Sequence, residues 1–143
     1  MTQEQKELLL KDLCARLPYG IKVYFSGWDS EYLKQKEMVD TLYSIDSDGY
    51  CNTYEYDSLL ELGNIKPYLF PLSSMTNKQK KELADICNCT IYITDWEIMF
   101  PSYEDSNMDN WQKVLDWCYK NHYDINGLIP MELANNATGL DIY

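Results

Sequence analysis

The chain has a single histidine, His122, so a Ser–His–Asp or Cys–His arrangement would have to run through it. It falls at or just past the end of a predicted third helix. There an imidazolium would meet the helix's negative pole, a stabilising role without chemistry. Cys87-Asn88-Cys89 brings two potential thiolate ligands close together. A structural zinc site needs four ligands, normally as two spaced pairs, and Cys14, Cys51 and Cys118 are scattered. No CxxC redox pair is present, so the cysteines read as buried free thiols. Asp95 and Glu97 share one face of a predicted strand, because side chains repeat every two residues. Two carboxylates can divide acid and base roles or hold a divalent ion, and with His122 they would serve a hydrolase. A solvated strand end is the favoured reading of the pair, ahead of a polar contact with a partner and of an active role. Asp46, Asp48 and Glu55 suggest a calcium loop, which needs alternating oxygen ligands, a glutamate at the twelfth place and flanking helices. Here Gly49 directly follows Asp48 and no helix flanks the stretch, so a hairpin turn is the expectation. The chain also lacks the G-x-G-x-x-G, P-loop, G-x-S-x-G and H-E-x-x-H patterns. No catalytic residue, metal or cofactor is assigned, and the balance favours a protein that is not an enzyme.

Aromatic content is the least ordinary feature, with 13 tyrosines and 4 tryptophans. Tyrosine offers large contact area at low entropic cost, with a hydroxyl that keeps an exposed ring soluble. Tyr50, Tyr54 and Tyr56 fall on one face of a predicted strand, with Tyr24 and Tyr43 on neighbouring strands. They are candidates for an aromatic recognition surface; packing against the first helix is the alternative. A small-ligand pocket would draw on Tyr24, Tyr43, Tyr54 and Trp96.

The elements that must position these residues are legible from pattern. Thr2 and Gln5 form a capping box that opens a first helix, whose stripe is Leu9, Leu10, Leu13, Cys14 and Leu17. Pro18 and Gly20 end it. A strand follows at 20–25, then a polar segment, 26–37, read as a long loop or an irregular hairpin connection. A hairpin comes next, from strands at 38–45 and 50–56 around Asp46-Ser47-Asp48-Gly49. A helical turn is expected at 58–62 and a strand at 65–72, placed at an edge because of Pro67 and Pro71. Thr76 and Gln79 form a second capping box before a helix that buries Leu83, Ala84, Ile86 and Cys87. Residues 90–100 read as one strand, central in the sheet or covered by a helix. Ser106 is the expected cap of the third helix, with Met108, Trp111, Val114, Leu115 and Cys118 on its apolar side. The tail holds an Asn126-Gly127 turn and is expected to fray at its end.

A chain of 143 residues with 45% hydrophobic side chains suits one domain with a real core. A bipartite form would place a helix and small antiparallel sheet in 1–73 and a helix–strand–helix half in 74–143. A formal net charge of -11 argues against direct nucleic-acid binding and against anionic membranes; it simply keeps the chain soluble, or suits a basic partner surface. It would also suit a DNA-mimic inhibitor. No apolar run reaches the roughly 20 residues of a membrane span. The scattered, odd-numbered cysteines fit a reducing cytoplasm.

Three stretches, LPYGIKVYF at 17–25, IKPYLFPLSSMTNKQKKEL at 65–83 and DWCYKNHYDINGLI at 116–129, resemble a group of small uncharacterised proteins of gut Bacteroidales, their prophages and related phages. Those relatives carry arginine where this chain has Phe70, and they lack the YFSGW stretch and the insertion across 24–37. The resemblance implies a bacterial or phage setting and an accessory role, with no activity attached. The expectation is therefore an α+β domain with three main helices and a small antiparallel sheet, SH3-like or barrel-like closure being one form of it. Its expected function is non-enzymatic binding, to a protein partner first and to a small molecule as the alternative.

Overall fold

The computed structural model describes residues 1–29, 31–56 and 59–143. Its first helix, α1 (Gln3–Arg16), opens on the expected capping box: Gln5 N donates to Thr2 Oγ1 at 3.1 Å and Thr2 N to Gln5 Oε1 at 3.0 Å. Its buried stripe differs from the reading of pattern alone. Leu9 and Leu13 are inside as expected, but Cys14 faces solvent, and the charged pair Asp12 and Arg16 is fully buried beside the leucines.

The strands follow as β1 (Lys22–Asp29), β2 (Lys34–Ile45), β3 (Tyr50–Thr53), β4 (Leu60–Glu61) and β5 (Ile65–Leu69). Next come α2 (Asn77–Cys87), the short strands β6 (Tyr92–Ile93) and β7 (Ile98–Met99), α3 (Met108–Lys120) and β8 (Asn135–Asn136). Among the described residues the fold is α+β with three α-helices, and the main sheet runs β4-β3-β2-β1-β5-β8. All its pairings are antiparallel except β5 with β8. Its end strands do not meet, so the sheet is open and the SH3-like or barrel-like form is excluded.

Several expectations are corrected. The segment 26–37 is not a long loop but belongs to a hairpin, and a regular one: β1 and β2 stay in register from Lys22↔Thr41 to Asp29↔Lys34. Its polar faces hid the strands because β5 stops opposite Phe25 and β3 opposite Leu42, leaving a two-stranded ribbon with little core to cover. The helical turn expected at 58–62 is β4 followed by a 3-10 turn, Leu62–Asn64, while Asp57 and Ser58 lie outside the described residues. β5 is an interior strand. Pro67 is tolerated there because β8 pairs only with Tyr68 and Leu69. Residues 90–100 form a separate two-stranded hairpin, not a central strand.

α2 carries its capping box, with Gln79 N donating to Thr76 Oγ1 at 3.2 Å, but Ile86 is exposed. α3 is capped by Asn107, whose Oδ1 accepts from Asn110 N at 2.9 Å; Ser106 Oγ accepts from the Trp111 indole instead. Met108 is exposed and Trp117 takes a core position. The tail does not fray: the Tyr143 hydroxyl accepts from Lys22 N at 3.0 Å and donates to Tyr68 O at 2.7 Å.

Two apolar cores result. In one, Leu9 and Leu13 of α1 meet Val23, Phe25, Leu42 and Ile65 of the sheet, with Leu128 and Leu133 arriving from the C-terminal segment. In the other, Leu72, Met75 and Leu83 meet Ile98, Val114 and Trp117. A buried polar knot sits where α1 meets the C-terminal segment. Arg16 Nε donates to Asp12 Oδ1 at 2.6 Å and its Nη2 to Tyr123 O at 2.7 Å, while Asn126 Nδ2 donates to Asp12 Oδ2 at 2.8 Å.

Candidate functional site

The aromatic side chains singled out by sequence do not form one surface; apart from Tyr24, the structure divides them among three clefts. Tyr43 and Tyr54 are the exposed pair. They are 58% and 66% accessible, and their rings meet edge to face with centroids 5.0 Å apart. A β-bulge produces this display. Leu42 is opposite Thr53 while Ser44 is opposite Asn52, so Tyr43 is the extra residue on β2. The bulge reverses the inside–outside parity, so Leu42 and Ile45 both reach the core while Tyr43 and Ser44 face out. With Asn52 and Tyr56, the pair lines a cleft of about 320 Å³.

The same open face continues along the ribbon. Tyr24 pairs across strands with Val39, and Trp28 with Gln35, and of these Val39, Trp28 and Gln35 are exposed. Tyr24 is half-buried, and a hydrogen bond to the Glu37 carboxylate, with burial second, raises its phenol pKa. Tyr56 leaves the face expected for it. Its ring packs 5.2 Å from Phe25, and its hydroxyl accepts from Trp28 N at 3.1 Å, which pins it beneath the ribbon. Tyr50 lines a different cleft, against Gln3, Glu7 and Leu10 of α1.

Trp96 belongs to a third cleft and shares no pocket with Tyr24, Tyr43 or Tyr54, so the expected common ligand pocket is not formed. It projects from the turn between β6 and β7 with 76% of its surface exposed. Thr94 holds that turn: its Oγ1 accepts from Trp96 N at 3.3 Å and from Glu97 N at 3.1 Å, and its own N–H donates to Glu97 O at 2.9 Å. Asp95, Trp96 and Glu97 are therefore all exposed, at a turn and not along a strand face. Asp95 and Trp96 overhang a cleft of about 370 Å³ whose apolar wall includes Leu72, Ile129 and Pro130. Asp124 lies at its floor. Its two carboxylate oxygens accept from Leu128 N at 2.8 Å and Ile129 N at 2.9 Å, and burial raises its pKa. Sequence reasoning missed this cleft, although Thr94-x-x-Glu97 and Asp124 before Asn126-Gly127 are local signals for the two loops that build it.

His122, Asp95 and Glu97 are not gathered into one site. Asp95 lines the Trp96 cleft, His122 lines another with Gln79 and Lys120, and Glu97 lines neither. Burial, with the Arg16 charge second, lowers the His122 pKa to about 4, so the imidazole is neutral at pH 7 and the cation in the last turn of α3 is Lys120 instead. Cys87 and Cys89 are free thiols whose pKa values burial raises, and among the described residues no group of three or more His, Cys, Asp and Glu side chains could hold a metal. Asp46 is a turn residue: its Oδ1 accepts from Asp48 N and Tyr50 N. Among the described residues no helix is long and apolar enough to cross a membrane.

Comparison with protein-family models, with curated proteins and with solved structures finds no match.

Proposed function

We propose that this chain is a non-enzymatic binding protein that recognises a partner protein through the open aromatic face of its sheet. The observation that carries this reading is the Tyr43–Tyr54 pair, displayed by a bulge on a face that also exposes Val39 and Trp28. Exposed aromatic surface of this kind is costly to leave in water and is characteristic of recognition sites. The net charge of -11 favours a partner with a basic surface, steering its approach from a distance. The likeness to Bacteroidales and phage proteins supports a phage–host or mobile-element setting, and the free cysteines suit a reducing cytoplasm.

The test is affinity capture from a bacterial lysate with the wild-type chain, with a Tyr43→Ala/Tyr54→Ala variant, and with a chain lacking Tyr43. Deleting Tyr43 closes the bulge but leaves Leu42 and Ile45 inward and Ser44 opposite Asn52, so the variant is expected to fold. A protein retained near stoichiometry by the wild type and lost from both variants supports the reading. Equal retention by all three, or no protein retained by the wild type, overturns it.

A further inference from the structure

The cleft under Trp96 shares no residue with the tyrosine face, and its composition is chemically one-sided. Among the described residues two carboxylates line it, Asp95 at the lip and Asp124 at the floor, and neither lysine nor arginine does. The Asp95 side chain has no ion-pair or hydrogen-bond partner among the described residues. Both Asp124 oxygens are already held by backbone N–H groups, so it contributes fixed negative potential at the floor. Beside Asp95 stands an indole with 76% of its surface in water, on a turn that Thr94 ties in place. Core packing does not explain that exposure, because the hairpin is anchored by Ile98, which is buried, while Trp96 points away.

From this geometry we infer that the Trp96 cleft is a binding site for an organic cation, an alkylammonium or guanidinium group. The positive head would lie between the indole face and the Asp95 carboxylate, where ring quadrupole and charge act together. The apolar stem would run along Leu72 and Ile129, as the stems of lysine and arginine do on protein surfaces. A cleft of about 370 Å³ is at the small end of ligand pockets and matches one such group and not a flat protein face. An anion would meet two carboxylates, and a neutral ligand would leave Asp95 unused.

The test is a titration of the ¹⁵N-labelled chain with n-butylammonium chloride, with n-butanol and sodium butyrate as neutral and anionic probes at matched ionic strength. A saturable shift of the Trp96 indole N–H and the Asp95, Gly127 and Ile129 amides by butylammonium alone is expected. Trp96→Ala and Asp95→Asn each should weaken the apparent Kd about two- to fivefold. Both residues are exposed on a turn, so the unchanged remainder of the spectrum verifies folding. No saturable shift with butylammonium, an equal response to butanol, or an unaltered Kd in Asp95→Asn overturns the assignment. Two further probes identify the source of the cation. Tighter binding of acetyl-Gly-Lys-Gly-amide assigns the cleft to a protein side chain, and tighter binding of spermidine assigns it to a free amine.

Discussion

The His122 imidazole is stacked on Tyr143 with ring centroids 3.8 Å apart, and its Nδ1 is buried without a hydrogen-bond partner. Its pKa falls from 6.5 to about 4. As pH drops below 6.5, the unfolded chain takes up a proton that the folded chain refuses until about 4, so stability falls across that window. Asp124 acts with the opposite sign: its raised pKa makes the folded state the better proton binder, so acidification gains stability there. Comparison of wild type with His122→Gln isolates the histidine. In urea unfolding, the wild type is expected to lose about 2 kcal/mol more than the variant between pH 7 and pH 5. Equal losses would mean the imidazole titrates freely in the fold. The position of His122 at the end of α3 was legible from sequence, but its burial under Tyr143 was not, because that contact joins residues far apart in pattern and close in space.

At the scale of elements, local chemistry was legible and tertiary reach was not. Both capping boxes were readable because donor, acceptor and spacing lie within four residues. The Asp46–Gly49 turn was readable for the same reason. The β6–β7 hairpin was missed because its turn is made by Thr94-Asp95-Trp96-Glu97, without glycine, proline or asparagine to announce it. The bulge at Tyr43 was missed because alternation alone places Ile45 outside. Gly27 makes an element-level prediction on the ribbon. A Cβ there would strike the Met38 methyl and stand 2.9 Å from two ring carbons of Tyr56. The Met38 terminus can turn aside, but the Tyr56 ring is tethered through its hydroxyl to Trp28 N. Gly27→Ala is expected to cost about 1–3 kcal/mol in urea unfolding. It should also shift the Trp28 amide resonance, whereas a cost below measurement would show that the ring yields.

Across the whole molecule, the α+β class and the three helices were legible, while the open six-stranded order was not. Sequence could not show that two separate C-terminal stretches close the free side of the β5 segment. Phe70 N donates to His122 O and Asp124 N to Phe70 O, both at 2.8 Å, and Ala137 N donates to Leu69 O at 2.8 Å. The Asp12–Arg16–Asn126 knot ties α1 to the same stretch, with the guanidinium 5.0 Å from the Tyr119 ring centre. Removing one member of a buried pair leaves an uncompensated charge, so Arg16→Leu is expected to cost about 3–5 kcal/mol. Tryptophan emission, whose buried contribution comes from Trp111 and Trp117 at the second core while Trp28 and Trp96 are exposed, and far-ultraviolet dichroism should give one coincident transition in the wild type. Two separated transitions would mean that the knot does not couple the cores.

The pairing of β5 with β8 also sets an order of events in the cell. The sheet's other five strands, all within residues 22–69, leave the ribosome well before Asn135 and Asn136. Until then the side of β5 that β8 will occupy is an open edge of backbone donors and acceptors, and the first core lacks Leu128 and Leu133. A nascent chain must hold this unfinished edge through the synthesis of α2 and α3, so pauses in translation between residues 70 and 135 are where misassembly would begin.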